Sequence, residues 1–215
     1  MQKSKIKVKI CGITNLEDAQ VAIKAGCDAV GFVFFKESRR YITPRRAKEI
    51  ITFLPKKILK VGVFVDGNEK DVRWAAQYCG LNILQFHGDE SPEFCDRFKD
   101  YKLIKAFRIR RKRDVRNAYR YKVFGYLFDT YIKSKPGGTG EKFDWELVRG
   151  LDDLGGEIFV SGGLTDKNVL QAIETADPDW VDVSSSVEKI PGKKDHDKVI
   201  NFIAAVNGRN LTLTK

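Results

Sequence analysis

The chain has 215 residues, and its 39 lysines and arginines outnumber its 29 aspartates and glutamates, which gives a net charge of +10. This length suits one sizeable core, and no Pro-, Gly- or Ser-rich linker divides the chain. No apolar run approaches membrane-spanning length, and the four cysteines form no Cys-x-x-Cys pair. We therefore expect a cytoplasmic protein with reduced thiols and no metal site, with one domain over residues 1–208 and a frayed tail over residues 209–215.

Apolar, β-branched segments recur every 20 to 35 residues along the chain. Most are continuously apolar, as expected of parallel strands that helices cover on the outer side. Between them stand helix signals such as Thr43 and Ser91, each a capping residue directly before a proline, and Asn68 followed by Asp71. The predicted strands cover residues 6–11, 29–34, 59–64, 83–86, 103–107, 124–128, 158–161 and 180–183.

This alternation predicts an α/β protein with a closed, parallel, eight-stranded (βα)8 TIM barrel. The alternative is an open, doubly wound sheet, which more often shows a Gly-x-Gly-x-x-Gly turn after its first strand, and no such turn stands here. Among the helices, the pattern predicts a capping box of Thr14 with Glu17, a cap at Thr165 and a helix that begins near Asp144 and Trp145.

Cys11 stands at the carboxyl end of the first predicted strand. In barrels of this kind, catalytic residues collect at that end of the strands. A free cysteine is as often a small buried hydrophobe, and Cys27, Cys79 and Cys95 are interpreted in that way because they lie in or next to apolar helical segments. Acting as a base, Cys11 would need the thiolate form, so we expect its pKa to lie below the ordinary value.

Asp129 follows the sixth predicted strand, so its carboxylate belongs to the same rim as Cys11. Taken alone, it is as well explained as a loop aspartate that caps backbone amides. A thiol and a carboxylate across a barrel mouth can also serve as base and acid in proton transfer. A long loop of the kind that closes over a ligand comes next. It contains Gly137, Gly138, Thr139 and Gly140.

Small residues follow the seventh and eighth predicted strands. They are Gly162 and Gly163 in the first turn and Ser184, Ser185 and Ser186 in the second. Glycine lets the backbone approach an anion, and amides and hydroxyls donate hydrogen bonds to it. Because phosphate groups commonly bind after strands seven and eight of such barrels, these two turns predict a phosphate site.

The ordered set of motifs resembles the phosphoribosylanthranilate isomerase family of tryptophan biosynthesis over almost the whole length. The segments that carry the resemblance are KICGIT at 9–14, GFVF at 31–34, SRRY at 38–41, VGVFV at 61–65, QFHGDE at 85–90, GGTG at 137–140, FDW at 143–145, SGGL at 161–164 and VDVSS at 181–185.

The resemblance implies an Amadori rearrangement of N-(5-phosphoribosyl)anthranilate to 1-(2-carboxyphenylamino)-1-deoxyribulose 5-phosphate. By the same resemblance, Asp129 is the general acid that protonates the ring oxygen, and Cys11 is the general base that removes the proton from C2. Arg40 would bind the anthranilate carboxylate, His87 would lie near the substrate, and Asp182 would hold ribose hydroxyls. Only protons move, so no cofactor is required, and the partner is a small phosphosugar rather than nucleic acid or membrane.

Three alternatives remain at this point. The basic cluster at 108–113 suggests RNA binding, although it lacks interleaved aromatic residues. Related phosphosugar enzymes are nearer rivals: the isomerase of histidine biosynthesis uses an aspartate where this chain has Cys11, and indole-glycerol-phosphate synthase uses a lysine and glutamates. A degenerate barrel that only binds ligands is the third, and Cys11 with Asp129 argues against it. The oligomer is predicted to be a monomer or a homodimer.

Overall fold

Eight parallel strands close into a barrel in the structure, a computed structural model that describes residues 5–130 and 145–212. Each strand pairs with the next along the chain, and β1 pairs with β8 to close the ring. The TIM barrel predicted from the sequence is therefore confirmed. The strands are β1 (Lys7–Cys11), β2 (Ala29–Val33), β3 (Leu59–Phe64), β4 (Ile83–Phe86), β5 (Lys102–Ile109), β6 (Gly125–Thr130), β7 (Glu157–Ser161) and β8 (Trp180–Val183).

Helices cover the outside of the barrel, and a small antiparallel hairpin follows β8. The helices are α1 (Leu16–Ala25), α2 (Pro44–Thr52), α3 (Glu69–Cys79), α4 (Pro92–Asp96), α5 (Lys112–Val115), α6 (Val169–Ala176) and α7 (His196–Thr212). The hairpin consists of β9 (Glu188–Ile190) and β10 (Lys193–Lys194). None of the helices in the described parts of the chain is both long enough and apolar enough to span a membrane.

Three predicted helix caps are confirmed, because Thr43, Asn68 and Ser91 each accept a backbone hydrogen bond at the start of α2, α3 and α4. The capping box of Thr14 with Glu17 is wrong by one residue. Asn15 caps α1 by accepting from the amide of Asp18, whereas the Thr14 hydroxyl donates to the carbonyl of Gly192. Adjacent Thr and Asn are both good capping residues, and the tertiary contact to the hairpin decides between them.

Two further helix predictions need correction. Thr165 does not cap α6, which begins only at Val169, after a turn in which Asn168 accepts from the Thr165 amide. Where a helix was predicted near Trp145, the structure has a short 3-10 helix, Trp145–Val148. Asp144 lies outside the described residues. At the end of the chain, α7 continues to Thr212, so helical backbone extends into the tail that the sequence leaves unpatterned.

Side chains alternate between the two faces of each strand, and the inward set builds the site. A buried cluster of inward residues fills the barrel, including Leu127 of β6, Phe159 of β7 and Trp180 of β8. Two residues further along the same face come polar side chains: Asp129 after Leu127, and Asp182 after Trp180. The strand period therefore places the apolar core inside the barrel and the polar groups at its carboxyl rim.

Candidate active site

One cavity of about 540 Å³ opens at the carboxyl ends of the strands and brings the predicted site residues together. Its lining includes Cys11, Arg40, His87, Asp129, Gly162, Gly163, Asp182, Ser184, Ser185 and Ser186. The predicted loop of Gly137, Gly138, Thr139 and Gly140 lies outside the described residues. Within residues 5–130 and 145–212, no group of three or more His, Cys, Asp or Glu side chains is arranged to hold a metal ion.

Cys11 ends β1 with its thiol almost buried beside Val33 and Val63. Gly31 on the neighbouring strand makes room for it, because a Cβ at that position would lie 2.8 Å from Cys11 Sγ. Gly12 then turns the chain with a φ of +80°, a conformation that glycine adopts without strain. The thiol is thus fixed in an apolar pocket at the floor of the cavity.

Burial raises the pKa of the Cys11 thiol above its ordinary value, and the Asp182 carboxylate adds to this rise. The ammonium groups of Lys9 and Lys194 act in the opposite direction but do not outweigh burial. The sequence-based prediction that the pKa of Cys11 lies below its ordinary value is therefore wrong. The cations that favour a thiolate are nevertheless in place.

Asp129 is the next-to-last residue of β6 and lies across the cavity from Cys11, where His87 contacts it. The Oδ2 atom of Asp129 lies 3.2 Å from Nε2 of His87, and Nδ1 of the same ring lies 3.0 Å from the amide nitrogen of Gln85. The ring of His87 thus bridges the side chains of Gln85 and Asp129. His87 thus orients the predicted acid as well as lining the cavity.

Arg40 forms a fork with a single carboxylate. Its Nε and Nη2 atoms donate to the two oxygens of Glu188 at 2.8 and 2.6 Å. The same carboxylate accepts from Lys194 at 3.2 Å. Although burial opposes ionisation, these cations lower the pKa of Glu188 below its ordinary value. The sequence predicts that the guanidinium of Arg40 binds a carboxylate of the substrate. In the structure, this guanidinium already binds a carboxylate of the protein, that of Glu188.

Asp182 lies on β8 and is almost fully buried. Its Oδ1 atom accepts a hydrogen bond of 2.9 Å from Lys9, whose side chain is inaccessible to solvent. Burial alone would lower the pKa of Lys9, but the carboxylate of Asp182 and the thiol of Cys11 outweigh it, and the pKa is raised. Asp182 thus ties β8 to β1 at the point where the barrel closes, and its predicted contact with ribose hydroxyls stays a prediction.

The turns after β7 and β8 form the wall of the cavity between Asp129 and Cys11. Gly162 and Gly163 have φ values of +87° and +65°, which a residue with a side chain adopts only with strain. The Ser184 hydroxyl donates to the carbonyl of Cys11 at 3.2 Å, and the Ser186 hydroxyl donates to the carbonyl of Leu164. The hydroxyls of Ser184 and Ser186 therefore already form hydrogen bonds within the protein, whereas Ser185 is exposed beside the cavity.

Four charged or polar residues of the site were not assigned a role from the sequence: Lys9, Gln85, Glu188 and Lys194. Lys9 stands two residues before Cys11, and Gln85 stands two residues before His87. Because residues two apart on a strand share a face, the strand period could have indicated both Lys9 and Gln85 as site residues. Glu188 and Lys194 belong to the hairpin after β8, and no local pattern marks that segment as part of the site. Their roles follow only from the closed barrel.

Comparison with known proteins finds similar sequences over almost the whole chain. The family whose sequence model matches residues 8–205 is described as N-(5'-phosphoribosyl)anthranilate (PRA) isomerase. An N-(5'-phosphoribosyl)anthranilate isomerase of Thermotoga neapolitana is 48% identical over 204 residues, which cover 94% of this chain and 99% of that protein.

Solved structures give the same result. Phosphoribosyl anthranilate isomerase from Thermotoga maritima superposes with a TM-score of 0.88 at 44% identity, with 94% of this chain and 99% of that chain covered. Another crystal structure of phosphoribosyl anthranilate isomerase, in complex with reduced 1-(o-carboxyphenylamino)-1-deoxyribulose 5-phosphate, has a TM-score of 0.86 at 42% identity, with the same coverage of 94% and 99%.

Proposed function

Because this chain belongs to the phosphoribosylanthranilate isomerase family of tryptophan biosynthesis, we propose that it converts N-(5-phosphoribosyl)anthranilate to 1-(2-carboxyphenylamino)-1-deoxyribulose 5-phosphate with Cys11 as base and Asp129 as acid. The observation that carries this proposal is that Cys11 and Asp129 line the same cavity from β1 and β6, which β7 and β8 separate around the barrel. The cavity is of the size that encloses a small molecule.

The proposed reaction consists of proton transfers within one substrate. Asp129 gives a proton to the furanose ring oxygen, and the ring opens as the C1–O bond breaks. The Cys11 thiolate removes the proton from C2, which leaves an enolamine that tautomerises to the ketone. His87 holds the Asp129 carboxyl in place through the 3.2 Å contact between Nε2 and Oδ2.

The substrate has two anionic ends, and the cavity has a polar wall for each. We place the phosphate at the turns of Gly162, Gly163 and Ser185, which line the cavity with two positive-φ glycines and an exposed serine. The anthranilate carboxylate then points toward Arg40, whose Nη1 atom is not part of the fork with Glu188. The apolar side chains of Val33 and Phe35 in the lining suit the aromatic ring between them.

The test is the decay of the fluorescence of freshly generated N-(5-phosphoribosyl)anthranilate with the purified protein. We compare wild type with Cys11→Ser and Asp129→Asn, and expect kcat in each variant to fall by at least about 100-fold, because each loses a proton-transfer group. Cys95→Ser, in the core, and Asp166→Asn, on the surface, are the matched controls and keep wild-type kcat.

Circular dichroism of every variant shows whether the barrel is folded. If wild type does not turn over this substrate, the assignment fails and a different phosphosugar becomes the candidate. If wild type is active but a folded Cys11→Ser or Asp129→Asn variant keeps its kcat, the isomerase stands and the role of that residue is refuted.

A further inference from the structure

The ammonium group of Lys194 is completely buried next to Cys11, although Lys194 lies 183 residues further along the chain. Its Nζ atom donates to the carbonyl of Cys11 at 2.6 Å, to the carbonyl of Ser184 at 3.1 Å and to Oε1 of Glu188 at 3.2 Å. A neutral amine has only two N–H donors, whereas an ammonium group has three. Three acceptors around one nitrogen therefore indicate that Lys194 is held as a cation.

The charges packed around Cys11 do not cancel. Lys9 pairs with Asp182, so that pair is neutral. Arg40 and Lys194 share the single carboxylate of Glu188, so that trio has one positive charge in excess. The strands on the other side of the thiol contribute the apolar Val33 and Val63. A Cys11 thiolate would neutralise the excess charge.

Two other ionisable pairs lie further out. His87 and Asp129 contact each other across the cavity, and Asp18 and His196 contact each other at the start of α7, at 3.0 Å. Asp18 also accepts from the backbone amide of Lys194, which fixes β10 against α1. The main influences on the pKa of Cys11 are burial, Lys9, Asp182 and Lys194, and neither of these outer pairs is among them.

We infer that Lys194 is a positioning residue for Cys11, whose buried ammonium both fixes the carbonyl end of β1 and supplies the charge that makes the thiolate attainable in an apolar pocket. This inference rests on the proposed function for its catalytic meaning. The hairpin β9–β10, which follows the last strand of the barrel, thereby contributes a residue to the active site.

The electrostatics of both groups agree with this role. Burial raises the pKa of Cys11, and Lys9 and Lys194 both counteract that rise. Burial lowers the pKa of Lys194, and Glu188 and Cys11 both counteract that fall. Thiolate and ammonium thus stabilise each other. Without Lys194, Glu188 and Arg40 would cancel, and the only cation left to favour the thiolate would be Lys9, which is already paired with Asp182.

The test measures the thiol directly and needs no substrate. The rate of iodoacetamide alkylation of the Cys11 peptide is followed by mass spectrometry against pH. We expect Lys194→Met to move the midpoint of this profile to higher pH by at least about one unit, because an opposite charge next to a titrating group shifts its pKa by about 1 to 3 units. Lys194→Arg keeps the charge and stays nearer to wild type. Lys193→Met, at the exposed neighbouring position, is the matched control and leaves the midpoint unchanged.

Glu188→Gln is the second variant, and its expected shift has the opposite sign. Losing this carboxylate adds one positive charge to the cluster, so the alkylation midpoint moves to lower pH. It keeps the inference testable if Lys194→Met does not fold. Wild-type midpoints in folded Lys194→Met, or shifts of the same sign in both variants, overturn the inference.

Turnover of N-(5-phosphoribosyl)anthranilate is measured in parallel. In Lys194→Met, the rising limb of kcat/KM against pH should shift with the alkylation midpoint, which a merely structural role would not produce. If wild type shows no turnover but Lys194→Met still shifts the alkylation midpoint, the proposed function is refuted and the effect of Lys194 on the Cys11 thiol stands.

Discussion

Replacing Gly31 with alanine tests how tightly the barrel fixes the Cys11 thiol. An alanine Cβ would lie 2.8 Å from Cys11 Sγ and 3.2 Å from Cys11 Cα. Because nonbonded heavy atoms pack at about 3.5 to 4.0 Å, the thiol must move by roughly 0.7 Å or more. The backbone of Gly31 lies within β2 and has no positive φ, so the substitution adds crowding without backbone strain.

A displacement of about 1 Å at a reacting group lowers the rate about 100-fold, which corresponds to about 2.7 kcal/mol in the activation free energy. We therefore expect kcat of Gly31→Ala to fall about 100-fold in the fluorescence assay. KM should change little, because the groups proposed to bind the two anionic ends of the substrate lie elsewhere in the cavity.

Gly62→Ala is the matched control on β3. Its Cβ would lie 2.4 Å from Leu81 Cδ1, on the face that packs against the helices rather than in the cavity. We expect a loss of about 1 to 3 kcal/mol in the free energy of unfolding by urea titration, with kcat unchanged. Wild-type kcat in folded Gly31→Ala would refute the argument that thiol position limits the reaction. An equal fall in kcat in both variants would assign the effect to general crowding.

Two further predictions concern buried charges outside the thiol itself. Lys105→Met leaves the buried carboxylate of Glu90, 3.0 Å away, without its cationic partner, so urea titration should show a loss of about 3 to 5 kcal/mol in unfolding free energy. Lys99→Met at an exposed position should change it by less than about 0.5 kcal/mol, and equal losses would contradict the reasoning. Burial alone would raise the pKa of the Glu188 carboxyl, but the Arg40 guanidinium helps hold this pKa below its ordinary value of 4.5. Ionised Glu188 therefore stabilises the fold above pH 4.5, and this stabilisation is lost as the pH falls through the pKa of Glu188 in the folded protein. The stability difference between wild type and Glu188→Gln should therefore narrow below about pH 4.5, and a difference that stays constant in acid would refute this.

The strands could be predicted from the sequence because they depend on local pattern. A parallel strand covered on both faces is a mostly apolar run, and residues 83–86 and 180–183 were predicted with the bounds that β4 and β8 have. The segment after β6 could not be predicted in the same way. Trp145–Val148 and Asp152–Leu154 are single 3-10 turns, too short for helical periodicity to distinguish from loop.

The rim that holds the site could also be predicted, since strand ends and glycine turns are local features. The partners of the site residues could not. Arg40 and Glu188 are 148 residues apart, and Lys9 and Asp182 are 173 residues apart. No spacing rule connects such positions. For this reason the fork of Arg40 was assigned to the substrate from the sequence, whereas the structure gives it a carboxylate of the protein.

The barrel's closure explains why the environment of the thiol in particular escapes local reasoning. Cys11 belongs to the first strand, and β1 pairs with β8, so two of the charged groups beside it, Asp182 and Lys194, come from the last part of the chain. Asp182 lies on β8 itself, and Lys194 follows in the hairpin after it. Burial penalises the thiolate as soon as β1 is covered, but the cation from β10 compensates only when the ring is closed. Closure of the barrel therefore both positions the Cys11 thiol and brings the Lys194 ammonium next to it.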